Sequence, residues 1–404
     1  MSYESRELPK GPVRVLSLDG GGIYGYTAAL WLKELCKRDS EFLTPGNVWL
    51  FAGCSSGALN SLLLARHEDP REALLDGVLD RFWADCEGIF TVQPAVFRSM
   101  FSEKAFLELL ERHLGEETVL GELPQNVLIS TFDWHGRQTY PDFEVGNRVD
   151  PSVPYWERAP DRGDHDESDR ALLDEKVFRK RVGVTRHWQP RFFSNVLYEQ
   201  DDRYRAAEIG YGAATPPGLR AIRGGIADGA SFSANPSARA VSTIARLQRL
   251  AHWRARSRGQ PDAKVGGALG RTRVLSLGAG TDLPYLDVKD LDAGGTLWSM
   301  RPANWQKDNV YSPAYYSLQP AGEEAVQICF DLLGNRYQRL NPDIIDLPGL
   351  LDMPTVVAAI AAGNPTSRTW QLKKIEEGVA GDRSQEALDH THAKYLSTKV
   401  WKGT

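Results

Sequence analysis

A three-layer α/β sandwich with a mainly parallel central sheet, extended by C-terminal helices, is the fold class that the sequence predicts. Three observations predict it. The apolar run Val13-Arg14-Val15-Leu16-Ser17-Leu18 leads straight into a glycine-rich loop and then a helical pattern. A second run, Val48-Trp49-Leu50-Phe51-Ala52, leads through a glycine-flanked turn into another helical pattern. A third, Val274-Leu275-Ser276-Leu277-Gly278, returns late in the chain. Buried strands alternating with helices are the pattern of a mainly parallel sheet covered on both faces.

The elements follow in order. After the first strand, Ala29, Leu30, Leu32 and Leu35 recur at helical spacing and predict a helix over 26–38. Helical patterns continue over 58–65, over 71–85 and over 104–114, the last begun by Ser102 and stopped by Gly115. Residues 127–132 read as a strand. The stretch 150–190 differs, because prolines precede the charged run Asp161-Arg162-Gly163-Asp164-His165-Asp166-Glu167, and it reads as a solvated insertion. A short helix is expected over 206–214, a strand end over 225–230, and a long helix over 236–256 with Pro236 in its first turn. Further helices are expected over 323–333, 353–362, 367–379 and 385–399. The expected division is a catalytic domain over 10–285 and a mostly helical extension over 286–404 packed on it.

Composition narrows the function classes. The chain has 404 residues, 42% hydrophobic and 25% charged, which is ordinary for a globular protein. A net charge of −5 argues against a nucleic-acid polymer as partner. No run of ~18 apolar residues predicts a membrane-spanning helix. Residues 1–8 have no apolar core, so no secretory signal is expected. Cys36, Cys54, Cys86 and Cys329 are widely spaced and read as reduced core thiols. The side chain of Cys54 is expected to point away from its neighbour Ser55 and to take no part in chemistry.

Three signals carry chemistry. The first is Asp19-Gly20-Gly21-Gly22-Ile23-Tyr24-Gly25, between a strand and a helix. Glycines there leave N–H groups uncovered at a helix start, suited either to a phosphate or to the oxyanion of acyl transfer. The second is Gly53-Cys54-Ser55-Ser56-Gly57, a serine on a strand-to-helix turn whose flanking glycines admit a sharp bend. A serine turn one strand–helix unit after the glycine loop favours the oxyanion reading of that loop. The third is Asp228 beside Gly229, at a strand end, where a carboxylate is suited to act as general base on a serine. An aspartate in such a place is more often a plain turn residue. His252, His390 and His392 are the histidines after Asp228, all in helical patterns, so a Ser–Asp dyad fits better than a histidine triad.

In this order the three motifs closely resemble the patatin-like phospholipases. Lesser features agree: Ala213-Ala214-Thr215-Pro216-Pro217, Ala234-Asn235-Pro236, the strand at 274–278, and Arg336-Tyr337-Gln338-Arg339-Leu340-Asn341-Pro342. The resemblance implies a lipid acyl hydrolase, a serine esterase acting on membrane glycerolipids such as phospholipids at the membrane surface of the cytoplasm. Ser55 would be the nucleophile, Asp228 the base, and the N–H groups of Gly20, Gly21 and Gly22 the oxyanion hole, with Asp19, Gly25, Gly53, Gly57 and Gly229 completing the motifs. No metal or other cofactor is implied. Tyr24 departs from the family, which commonly has Lys or Arg there. Bacterial patatin-like proteins also serve as effectors switched on by signalling nucleotides, so the resemblance admits a small-molecule activator and a homo-oligomer. An esterase of soluble esters built as an α/β-hydrolase, and an inactive regulatory module, are the competing readings.

The stretch 298–318 is rich in rings: Trp298, Trp305, Tyr311, Tyr315 and Tyr316. Trp and Tyr suit the boundary between water and lipid, but rings in such a place more often cover a core. Trp305→Ala with Tyr315→Ala separates the two. An interfacial role predicts slower hydrolysis of phospholipid vesicles with unchanged hydrolysis of a short soluble ester. Equal loss on both substrates, or a lower melting temperature, places the rings in the core.

Overall fold

The computed structural model describes residues 7–86, 102–133, 189–197, 199–215, 225–257, 267–280, 320–342 and 366–403. The expected helix over 353–362, the aromatic stretch 298–318 and most of the charged insertion, up to residue 188, lie outside the described residues.

A seven-stranded sheet organises the chain, with β1 (Val13–Leu18), β2 (Leu50–Cys54), β3 (Val127–Asp133), β4 (Gln189–Ser194), β5 (Ile226–Asp228), β6 (Thr272–Leu277) and β7 (Tyr337–Leu340). The order is β4-β3-β2-β1-β6-β7, with β5 paired to β3 off that path. β1, β2, β3, β6 and β7 run parallel, whereas β4 and β5 are antiparallel to β3. The expected α/β class with a mainly parallel sheet is therefore the observed one.

Side chains alternate across the strands and feed two cores. Leu16 and Leu18 of β1, Phe51 of β2 and Leu275 and Leu277 of β6 face one side. There they meet α1 (Gly25–Arg38), α2 (Ser56–Ala65), α3 (Pro70–Leu75), α4 (Val78–Asp85), α5 (Glu103–Leu114) and α6 (Ala206–Ala213). Val13, Val15, Leu50, Ala52 and Val274 face the other side, against Ala240, Val241 and Ile244 of α7 (Ser237–Ser257) and Cys329 and Leu333 of α8 (Pro320–Leu333). Helices thus lie on both faces.

Several features differ from the sequence reading, among them the helix expected over 385–399, which ends as an α-helix at Thr391 and gives way to a π turn and then a separate short helix from Lys399. The expected helix over 71–85 is two helices, because Gly77 adopts φ 81°, a left-handed conformation that ends the regular turn. The strands β4 and β7 were not anticipated, since both carry polar residues. β4 holds Pro190, which a strand at the edge of a sheet tolerates, and β7 reads Tyr-Gln-Arg-Leu.

The C-terminal segment packs on the first face through α9 (Thr366–Ala380), α10 (Asp382–Thr391) and α11 (Lys399–Lys402). Tyr26 donates to Glu376 at 3.1 Å and the Trp31 indole donates to Ser384 at 2.8 Å, tying α1 to α9 and α10. Trp401 is 1% exposed and lies against Phe42 and Tyr395. Arg14 of β1 donates to the backbone carbonyls of Trp401 and Lys402 at 2.7 Å, so the last turn is bound to the first strand. Among the described residues no helix is long and apolar enough to cross a membrane.

Truncating a buried indole removes its transfer energy and leaves a cavity. Trp401→Ala is expected to lower the unfolding free energy by about 3–5 kcal/mol, read as an earlier urea midpoint at an unchanged slope.

Candidate active site

The serine turn is built by close packing. β2 ends at Cys54 and α2 begins at Ser56, so Ser55 must reverse the chain direction alone. It does so at φ 51° and ψ −123°, a region that residues with a Cβ rarely enter. The carbonyl of Ser55 then accepts the N–H groups of Ala58 at 2.9 Å and Leu59 at 3.2 Å, which starts the helix. The glycines supply room rather than bending. A Cβ on Gly53 would lie 2.4 Å from the carbonyl oxygen of Gly57, and one on Gly57 would lie 2.1 Å from that of Leu18. A Cβ on Gly25 would lie 2.5 Å from the Cβ of Ser56. The sequence reading gave the sharp bend to the flanking glycines; the unusual backbone angle belongs to the serine itself.

Asp228 reaches the same place from the opposite direction. β2 runs beside β3 as far as the pair Cys54 and Ser130. β5 runs the other way beside the continuation of β3 and ends at the pair Asp228 and Thr131. The ends of β2 and β5 therefore meet head to head along one edge of β3. Gly229 lets the chain pass β3, since a Cβ there would lie 2.7 Å from the carbonyl carbon of Ser130. Asp228 is 5% exposed, and its Oδ1 accepts the N–H of Ala230 at 2.9 Å.

Cys54 stands at this meeting as well. Its Sγ lies 3.9 Å from Oδ1 of Asp228, within reach of a weak thiol hydrogen bond. The reason is the arrival of β5, which brings a carboxylate to the face where the thiol points. Burial first, then the charges of Asp228 and Asp19, push the Cys54 thiol well above its ordinary value. It is therefore a protonated donor and not a nucleophile.

The glycine loop closes the site. A Cβ on Gly20 would lie 3.0 Å from that of Ser55, so the loop abuts the serine directly. Asp19 N–H donates to Leu277 and Gly20 N–H to Ala234, both at 3.0 Å. The Gly20 N–H, one of the three expected for the oxyanion hole, is thus engaged by a backbone carbonyl in this structure. Those of Gly21 and Gly22 have no acceptor among the described residues, and Gly22 holds φ 58° in open space. Tyr24 is half-buried against the first core, and its N–H donates to Gly21 at 3.1 Å.

One residue missed as a site candidate is Arg339 of β7. Its guanidinium meets the Asp19 carboxylate at 2.5 Å and the Ser276 hydroxyl at 2.8 Å. Its only sequence signal was its place in the stretch 336–342 that contributed to the resemblance. Among the described residues, no group of three or more His, Cys, Asp or Glu side chains is arranged to hold a metal ion.

A strained serine at a strand-to-helix turn, abutted by a glycine loop, invites comparison with known families. Residues 16–207 match the family model described as Patatin-like phospholipase. The resemblance drawn from the motifs is thus shown over that stretch, which holds the glycine loop and the serine turn. Patatin-like character supports lipid acyl hydrolase activity in general. β5 and Asp228 lie beyond the matched residues. No curated protein matches the chain.

The packing at Gly57 gives a direct test. Gly57→Ala should lower stability by about 1–3 kcal/mol or more, because the Leu18 carbonyl cannot yield without moving β1. The exposed Gly267, whose Cβ position has no neighbour within 4 Å, serves as control. Gly267→Ala should change stability by about 1 kcal/mol or less. Thermal unfolding of the two variants reads the difference.

Proposed function

We propose that the protein is a lipid acyl hydrolase of phospholipase A type, cleaving fatty-acyl esters of membrane glycerolipids with Ser55 as nucleophile and Asp228 as general base. The observation that carries this reading is the head-to-head meeting of β2 and β5, which brings the Cys54–Ser55 step beside the Asp228 carboxylate. The patatin-like match of the stretch around Ser55 supports the substrate class.

The steps follow from the groups present. Asp228 accepts the hydroxyl proton of Ser55 as Oγ attacks the ester carbonyl carbon. The carbonyl oxygen becomes an oxyanion, met by the N–H groups of Gly21 and Gly22 and favoured by the N-terminus of α2. The tetrahedral species collapses, the bond to the alcohol oxygen breaks, and Asp228 returns the proton to the leaving lysolipid or alcohol. Water then attacks the acyl-enzyme, again giving its proton to Asp228, and the fatty acid departs with Ser55 regenerated. Among histidines with described side chains, none hydrogen-bonds to Ser55, and His113 is engaged with Asp85 at 2.8 Å.

Ser55→Ala and Asp228→Ala should each reduce kcat to nearly the same residual level, with the double variant little worse, because the two act as one unit. Mass spectrometry of products from mixed lipid vesicles reads both the rate and the acyl chain released. Additive losses in the double variant overturn the dyad, and an unchanged Ser55→Ala overturns the enzymatic reading.

A further inference from the structure

Asp19 opens the glycine loop, and its side chain is turned inward with about a tenth of its surface exposed. One carboxylate oxygen meets Arg339; the other is buried and has no hydrogen-bond partner among the described residues. A buried carboxylate held by a single ion pair depends on that pair, since removing one partner leaves an uncompensated charge. Arg339 is itself fixed. Its second nitrogen donates to Ser276, a fully buried hydroxyl on β6. Burial lowers the guanidinium's proton affinity, but the Asp19 charge outweighs this and raises it; burial pushes the Asp19 carboxyl up, and Arg339 is what opposes that push and holds the carboxylate charged.

The backbone around Asp19 is placed by the same strands. Its N–H donates to Leu277 at the end of β6, and Gly278 N–H donates to Leu340 at the end of β7. The next residues along this seam also touch the loop: the Cβ of Ala279 lies 2.6 Å from where a Cβ on Gly21 would stand. A cation from β7, 320 residues away in sequence, thus sits at the root of the loop.

We propose that Arg339 is a positioning residue for acyl transfer at Ser55: its ion pair with Asp19 pins the root of the glycine loop and cancels a buried negative charge there. This rests on the reading of Ser55 as nucleophile. The ion pair keeps the N–H groups of Gly21 and Gly22 aimed at the forming oxyanion, and it removes a charge that would repel that oxyanion. Because the oxyanion exists only in the transition state, the contribution falls on kcat and not on substrate binding.

The test uses the full-length protein, a short soluble ester and three variants: Arg339→Met, Arg339→Lys and Ser55→Ala. Arg339→Met should lose about 10²-fold in kcat, the scale of losing an oxyanion donor, with KM within about twofold by the same argument. Arg339→Lys restores the charge but not the fork, and should recover about tenfold of that loss. A folded Arg339→Met within about threefold of the parent kcat overturns the proposal. So does a loss expressed in KM, or a folded Arg339→Lys no better than Arg339→Met. If Arg339→Met does not fold, Arg339→Lys decides: a kcat several-fold below the parent at unchanged KM upholds the proposal, and a parent-like kcat overturns it. Ser55→Ala at the parent rate would instead overturn the nucleophile reading, a separate outcome.

Discussion

The structure turns on how β3 is shared. Its first half pairs with β2 and its second half with β5, which arrives antiparallel and occupies the lane that β2 vacates. Two strand ends must then fit into one short gap beside β3, and every close approach nearby follows from that. Gly229 exists because any side chain would strike the Ser130 backbone. Gly53 and Gly57 exist because α2 must start at once, pressed against the end of β1. Had β5 run parallel, its C-terminal end would point away from the end of β2, and Asp228 could not stand beside the serine turn.

That fit has an energetic consequence at Ser55. A residue with a Cβ held at positive φ costs on the order of 1–3 kcal/mol. Relaxing it would need α2 to move, and α2 is buried along its entire length from Ser56 to Ala65. Its Asn60 is locked in addition, donating to the Gly25 carbonyl at 2.8 Å and accepting from the Trp83 indole at 3.0 Å. The strain is thus held by packing on both sides of the turn, which keeps the Ser55 side chain from falling back into an ordinary helix start.

How much of this was legible depends on which residues report on buried surface. β1, β2, β3 and β6 are buried and parallel or nearly so, and their apolar runs announced them. The glycine loop and the serine turn were legible because glycine and serine types are forced by close approach. β4 and β7 were not legible. They lie at the ends of the sheet, and their polar residues serve buried contacts that a hydropathy pattern cannot express: Arg191 of β4 pairs with Asp201, and Arg339 of β7 pairs with Asp19. The role of Cys54 was hidden for a related reason. Which way its side chain points follows from the pleat, but what it meets there is Asp228 of β5, 174 residues later, on a strand whose direction no local pattern gives.

The same limit bears on Tyr24. The patatin-like phospholipases that the chain resembles commonly carry a cation at this position, and Tyr24 leaves the glycine loop without one of its own. The ring of Tyr24 instead packs against the first core, and the cation at the loop root comes from β7. Arg339 cannot replace a side chain that reaches a lipid phosphate, because its charge is committed to Asp19 and its second donor to Ser276. Among the described residues, the backbone N–H groups of Gly21 and Gly22 and the start of α2 are left to face an anion over the loop. Such fixed dipoles act over a short range and favour charge that develops at one point. That suits an oxyanion next to Ser55 better than a phosphate held farther out. On the proposed reading, the backbone groups at the loop serve the acyl-transfer step, and Tyr24 brings no charge to the loop.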